Sequence, residues 1–169
     1  KIKKIYWRNS NIDFSSIASV LNSLAENPSE FFYIKKRNGE DEVSFRDLCL
    51  DSEVNKYLTN PENIRLLWDV CRIPDFQKLM NENYIALLKN IFLTLIRNDF
   101  LLPKNWIQQH VHKLEEYSGG IDELSNKIAS IRTWTYISNQ SNWIANNKFW
   151  QEKTRTIEDN LSDHLHEKL

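Results

Sequence analysis

The scarcity of chain breakers constrains this sequence most: its 169 residues include only three glycines and four prolines. Sandwiches and barrels turn often, and tight turns need residues that tolerate left-handed or fixed backbone angles. A chain this poor in both suits long helices. Hydrophobic residues make up 41% and charged residues 27%, a balance that fits a globular core and excludes general disorder. The length accommodates one domain with a real core or two small helical lobes. The sequence therefore reads as all-α, an irregular multi-helix bundle with one short extended segment near 31–36.

Periodicity divides the chain further. Residues Ile2–Arg8 alternate weakly and read as an extended arm. Asp13 or Ser15 is placed to cap a helix carrying Ile17, Val20, Leu21 and Leu24, which Asn27-Pro28 ends. Phe31–Lys36 is rich in aromatic and β-branched types, and Asn38-Gly39 reads as a turn. A helix follows from about Asp41. Asn60-Pro61-Glu62 is a helix start, with a capping Asn, a Pro in the first turn and an acid at the positive end of the helix dipole. Ile73-Pro74-Asp75 breaks that helix. The apolar series Phe76, Leu79, Met80, Leu87, Leu88, Ile91, Phe92, Leu95 then predicts a long core helix of roughly 20 residues. Pro103 starts a helix holding Trp106, Ile107, Val111 and Leu114, with Gly119-Gly120 as its stop. Ile121–Ser138 is helical, and Asn146-Asn147 caps a last helix with Trp150, Ile157, Leu161 and Leu165.

The formal net charge of −1 and a pI near 6.5 weigh against strong autonomous nucleic-acid binding, which usually needs a basic domain. Cys49 and Cys71 sit in apolar helical patterns without CxxC spacing, so they read as buried thiols of a cytoplasmic protein and not as zinc ligands. No apolar run reaches the roughly 20 residues of a membrane span, and no secretory signal follows the basic Lys1–Arg8. The chain opens without Met and closes at Leu169 without a helix stop, so both ends read as boundaries within a larger protein.

Catalytic motifs are missing from the pattern. There is no P-loop, no magnesium-holding acidic pair after an apolar strand, and no nucleophile elbow. His110/His112 and His164/His166 are spaced i,i+2, which points them about 200° apart on a helix, so neither pair clamps one ion and a solvated face is the simpler reading. Glu115-Glu116 and Glu158-Asp159, beside Lys113, Lys153 and Arg155, read as surface i,i+3 and i,i+4 pairs. Aromatic and basic residues interleave from Arg132 to Arg155. Two readings compete there. One is a single-strand platform, with bases on rings and phosphates on cations. The other makes Trp134, Trp143 and Trp150 core residues, leaving Arg132, Lys148, Lys153 and Arg155 as the candidate cations. The basic runs Lys1–Arg8 and Lys35-Lys36-Arg37 carry the same two readings.

Three stretches are distinctive. The first is Ser130-Ile131-Arg132-Thr133-Trp134-Thr135-Tyr136-Ile137 with Trp143-Ile144 and the run Trp150–Asp163. The second is Ile64-Arg65-Leu66-Leu67-Trp68-Asp69-Val70-Cys71-Arg72-Ile73-Pro74-Asp75-Phe76. The third is Trp7-Arg8-Asn9-Ser10 with Asp13-Phe14-Ser15-Ser16. Together they resemble the C-terminal region of α-proteobacterial superfamily-two helicases related to the mitochondrial RNA-degradosome helicase. The resemblance spans most of the chain and is weakest over residues 26–58.

The resemblance implies a parent with two RecA-like motor domains that hydrolyse ATP, with magnesium, to translocate on a strand. Residues 1–14 are then a connector or arm from a preceding motor domain, and residues 15–169 a helical accessory domain, a fragment of that larger chain. The ATP and magnesium motifs lie outside this sequence, so no catalytic residue, cofactor site or metal site is carried onto it. Its implied partners are the motor domains of the same chain and single-stranded nucleic acid, RNA in preference to DNA, in the cytoplasm and away from membranes. Arg132 and Arg155 are the implied phosphate contacts, with Lys148 and Lys153 beside them. The alternative is a protein–protein docking module for a nuclease, motivated by an apolar stripe at Leu161, Leu165 and Leu169.

Overall fold

The computed structural model describes residues 5–30, 33–35 and 39–169, apart from the side chains of Met80 and Asn81. Among them are eight helices and two short strands, an all-α fold with a minimal sheet. The chain divides into two compact units, Lys1–Arg72 and Ile73–Leu169.

In the N-terminal unit, β1 (Ile5–Trp7) pairs in parallel with β2 (Tyr33–Lys35), Tyr6 opposite Ile34. Parallel neighbours need a crossover, which here carries α1 (Ile17–Leu24). Ser16 caps α1 by accepting from the Ser19 amide, so neither expected residue is the cap; Asp13 accepts from the Ser15 amide one turn earlier. Asn9 is buried and its amide is fully used, donating to the carbonyls of Asn11 and Ser23 and to Glu26 Oε2 at 3.0–3.2 Å. Those bonds fasten the segment after β1 onto α1. Asn38 of the expected Asn38-Gly39 turn, and residues 1–4, 31, 32, 36 and 37 of the expected extended and basic segments, lie outside the described residues.

Helix α2 (Glu40–Cys49), the single turn α3 (Ser52–Asn55) and α4 (Pro61–Cys71) complete this unit. Helix α4 starts as its sequence dictates: the Asn60 side chain accepts from the Asn63 amide and Pro61 occupies the first turn. Its apolar face, with Ile64, Leu67 and Trp68, packs with Phe45 and Leu48 of α2, and Phe45 meets Trp68 edge to face at 5.8 Å. Both cysteines are buried free thiols; burial pushes Cys49 up to about 12 and raises Cys71.

Arg8 holds these elements to β1. Its Nη1 lies 2.6 Å from Asp41 Oδ1 and 3.6 Å from Glu42 Oε1, and its guanidinium stacks 5.3 Å from the Trp68 ring centre. Asp41 and Glu42 also sit in the first turn of α2, where its dipole favours acids. Glu42 is buried, and its Oε1 has no hydrogen-bond partner, so Arg8 is the charge that compensates it.

In the C-terminal unit, Ile73-Pro74-Asp75 separates α4 from α5 (Met80–Ile96) as expected. The long helix begins later than its apolar pattern. Phe76–Leu79 form a turn, with Lys78 at φ 52° and Asp75 Oδ1 accepting from the Leu79 amide. Tyr84 donates its hydroxyl hydrogen to the Ile73 carbonyl, fixing that turn against α5. Leu88, Ile91, Phe92 and Leu95 are fully buried. The helix ends with Asp99 and Phe100 both left-handed and the Phe100 amide returning to the Leu95 carbonyl at 2.8 Å.

Helix α6 (Lys104–His112) starts after Pro103, but it stops before Leu114 and well short of Gly119-Gly120. The glycine pair instead launches α7 (Ile121–Ser138), with Gly119 at φ 121°, a left-handed position suited to glycine, and Gly120 at the N-cap. Asn146, at φ 60°, precedes α8 (Asn147–Lys168) without making a side-chain cap. Asn147 reaches back to α7 instead. With Gln151 it donates to the Ser138 carbonyl, and to that of Gln140, at 3.0–3.3 Å, satisfying the open end of α7. The two longest helices thereby form an antiparallel pair, with Leu124, Ile131, Ile137 and Leu161 sealed inside.

Truncating either anchor tests this account by urea unfolding. Arg8→Ala leaves two largely buried carboxylates uncompensated and is expected to cost about 3 kcal/mol or more. Leu161→Ala opens a cavity between α7 and α8 and is expected to cost about 2–5 kcal/mol.

Candidate nucleic-acid interface

The α7–α8 pair carries the cations singled out in the sequence. Its tryptophans face inward: Trp134, Trp143 and Trp150 are each about 95% buried or more, so they are not stacking platforms. Trp134 forms an aromatic cluster with α6, lying 5.5 Å from Trp106 and stacked on His110 at 4.8 Å. The Trp143 carbonyl accepts from the Leu102 amide at 2.7 Å, tying the α7–α8 turn to the segment before α6.

The four candidate cations are not equivalent. Arg132 on α7 is 56% exposed, and its Nε donates to Glu158 Oε1 of α8 at 3.2 Å. Lys153 turns toward the loop after α6, with Nζ 3.1 Å from Glu115 Oε1 and 5.9 Å from the Phe149 ring centre. Lys148 and Arg155 are exposed and seven residues apart, hence on one face of α8, and neither forms an ion pair among the described residues. Glu152 and Asp159 share that face. The structure thus brings Lys148 and Arg155 together, hooks Arg132 to a carboxylate one turn from Arg155, and turns Lys153 elsewhere. The carboxylate pairs also differ from expectation: Glu115 and Glu158 bridge between elements, not along one helix.

One of the histidines leaves the solvated face expected for it: His110 is half-buried between Trp106 and Trp134. His164 is exposed as expected, and stacks on Tyr117 at 5.3 Å. Asn160 donates to the same Tyr117 hydroxyl, pinning the loop after α6 to α8. The apolar stripe expected at Leu161, Leu165 and Leu169 is not an exposed face: Leu161 is fully buried and Leu165 half-buried, leaving Leu169 outermost.

A second basic site, in the N-terminal unit, lies outside the residues that the sequence singles out. A cavity of about 260 Å³ is bounded by the segment after β1 and by one face of α4. Arg65 and Asp69 of α4 and Arg72 at its C-cap line it, at the i, i+4, i+7 spacing that sets them on one stripe. Phe14 and Trp68 form its ring walls, with Arg65 5.5 Å over Phe14 and Arg8 over Trp68. Burial raises the Asp69 carboxyl, and the two nearby guanidinia oppose that shift without reversing it. Among the described residues neither Arg65 nor Arg72 reaches ion-pair distance of a carboxylate. The spacing on α4 is a readable signal. The apposition of Phe14 and Arg8 is not, because it is made by tertiary packing.

Among the described residues no helix is long and apolar enough to cross a membrane, and no group of three or more His, Cys, Asp or Glu side chains is arranged to hold a metal ion. Comparison with protein-family models, curated proteins and solved structures gives no match for the chain.

Burial, with the Lys113 charge adding to it, holds His110 below its ordinary value near 6.5. The unfolded chain therefore takes up this proton at higher pH than the folded one. Its share of stability is present above pH 6.5 and is lost as pH falls toward the depressed folded value. Melting at pH 7.5 and 5.5 is expected to show a drop on acidification that is smaller in His110→Gln.

Proposed function

We propose that this chain is an accessory helical segment of an ATP-dependent nucleic-acid helicase, contacting the strand and packing on motor domains while contributing no catalytic group of its own. The observation that carries the reading is the build of the tryptophan-rich stretch that resembles the helicase tail. Its three tryptophans are buried in the α7–α8 pair, while Phe149 and the cations Arg132, Lys148 and Arg155 face solvent. Such cations meet phosphates, and phosphate contacts supply affinity without sequence preference. That suits a segment following a motor that must pass every sequence. Single-stranded RNA is the preferred substrate strand, and ATP and magnesium belong to the motor domains. The docking alternative loses its main support with the burial of Leu161.

The near-neutral net charge makes isolated binding weak and strongly salt-dependent. Fluorescence anisotropy of labelled single-stranded RNA and DNA across a salt series is expected to show binding that fades steeply with salt. Replacing Arg132 and Arg155 together by Ala is expected to flatten the log–log salt slope by about 1.4, the value for two lost single-strand phosphate contacts. Absence of binding at low salt, together with unchanged unwinding by a parent helicase carrying both substitutions, would overturn the proposal.

A further inference from the structure

We infer that the cavity between α4 and the segment after β1 is a second strand contact, a seat for one phosphodiester group clamped by Arg65 and Arg72. The inference rests on the reading that this chain meets single-stranded nucleic acid, and it places a contact in the N-terminal unit.

The state of the guanidinia supports it. Arg8 is spent on two acids, Asp41 and Glu42. Arg65 and Arg72 face a single carboxylate, Asp69, and neither touches it within ion-pair distance among the described residues. With Arg8 and its two acids counted, the charges around the cavity cancel, so the site offers two guanidinia with open N–H groups and no net field. A phosphodiester, with its single negative charge, is repelled less by the nearby Asp69 than a monoester, which carries more. Guanidinia are the groups best shaped for phosphate oxygens, since their N–H forks bind them in pairs.

Positioning supports it as well. The Arg65 guanidinium is held over the Phe14 ring, which limits its motion before any ligand arrives. Trp68, itself 97% buried, is braced by Arg8 on one side and Phe45 on another, so the cavity wall is rigid. Ser10 supplies a further hydroxyl at the rim, whereas the Asn9 amide hydrogens are already committed. At about 260 Å³ the cavity lies below the roughly 300–1,000 Å³ of pockets for drug-sized ligands, a size for a phosphate with part of its sugar and not for a whole nucleotide. A purely structural reading makes Arg65 and Arg72 solvated partners of Asp69. That neither guanidinium comes within ion-pair distance of Asp69 among the described residues argues against tight pairing of that kind.

The test uses the whole chain, with a labelled single-stranded oligonucleotide in RNA and DNA form as probe, and inorganic phosphate and a nucleoside monophosphate as competitors. Arg65→Gln with Arg72→Gln is expected to weaken strand binding about tenfold or more, as for lost charge-assisted hydrogen bonds. The salt slope is expected to fall by about 0.7, the value for one phosphate. Millimolar phosphate or monophosphate is expected to displace the strand poorly; efficient displacement would mean a monoester or free-phosphate site and overturn the diester assignment. Guanidinium Nε–H resonances of Arg65 and Arg72 in the unsubstituted chain are expected to shift on adding the oligonucleotide, which tests the site even if the double variant unfolds. Strand binding that is unchanged in the variant, without those shifts, removes the cavity and leaves the proposed function standing. No strand binding at low salt removes the cavity contact, and with unchanged unwinding by the substituted parent it removes the proposed function too.

Discussion

Arg8 is the interaction on which the N-terminal unit depends. One guanidinium joins three elements, since it follows β1, neutralises the first turn of α2 and stacks on the central tryptophan of α4. A lysine has neither the planar face for Trp68 nor the fork for two carboxylates. The arrangement is close-fitting even at the backbone: a Cβ on Gly39 would come within 2.8 Å of Asp41 Oδ1 and 3.3 Å of Arg8 Nη1. Burying Glu42 has a desolvation cost that only a fixed cation offsets, so the same contact stabilises the unit and fixes where the cavity wall stands.

The C-terminal unit solves a different problem. At the end of α7 the Asn139 and Gln140 amides take up the carbonyls of Thr135, Tyr136 and Ile137, and side chains from the start of α8 satisfy those of Ser138 and Gln140. That closes the turn tightly, and Trp134, Trp143 and Trp150 pack inward while Phe149 stays exposed. A stretch that looks like an aromatic–basic strand platform on paper becomes a packed spine with cations outside.

Much of this architecture is legible locally. The Asn60-Pro61 start of α4 and the full span of α7 follow from capping and period alone. Departures arise where tertiary contacts outrank local preference. Phe76 and Leu79 continue a helical period, yet Asp75 and Tyr84 hold them in a turn. Gly119-Gly120 marks a boundary, but as the start of α7 and not the stop of α6, since glycine serves both ends of a helix. The i,i+2 spacing reads as a solvated face for His110 because it does not show the ring of Trp134 that covers it. The candidate cations are visible as residue types. Which carboxylates neutralise them is not, because Glu158 and Glu115 arrive from other parts of the chain.

That distinction sets where a nearly neutral chain keeps positive potential. With 22 basic and 23 acidic side chains, bulk charge attracts nothing. What matters is which cations keep their field. Ion pairs withdraw Arg8, Lys127, Arg132 and Lys153 to differing degrees. Lys148 and Arg155 on α8, and Arg65 and Arg72 on α4, stay outside such pairs among the described residues. Two of these sit on an open helix face and two in a ring-walled cavity. An open face gives contacts that salt screens readily, whereas a partly desolvated cavity keeps its charge at higher ionic strength. Each unit thus keeps its unpaired cations in a different setting, and the α8 face is the one whose field salt removes first.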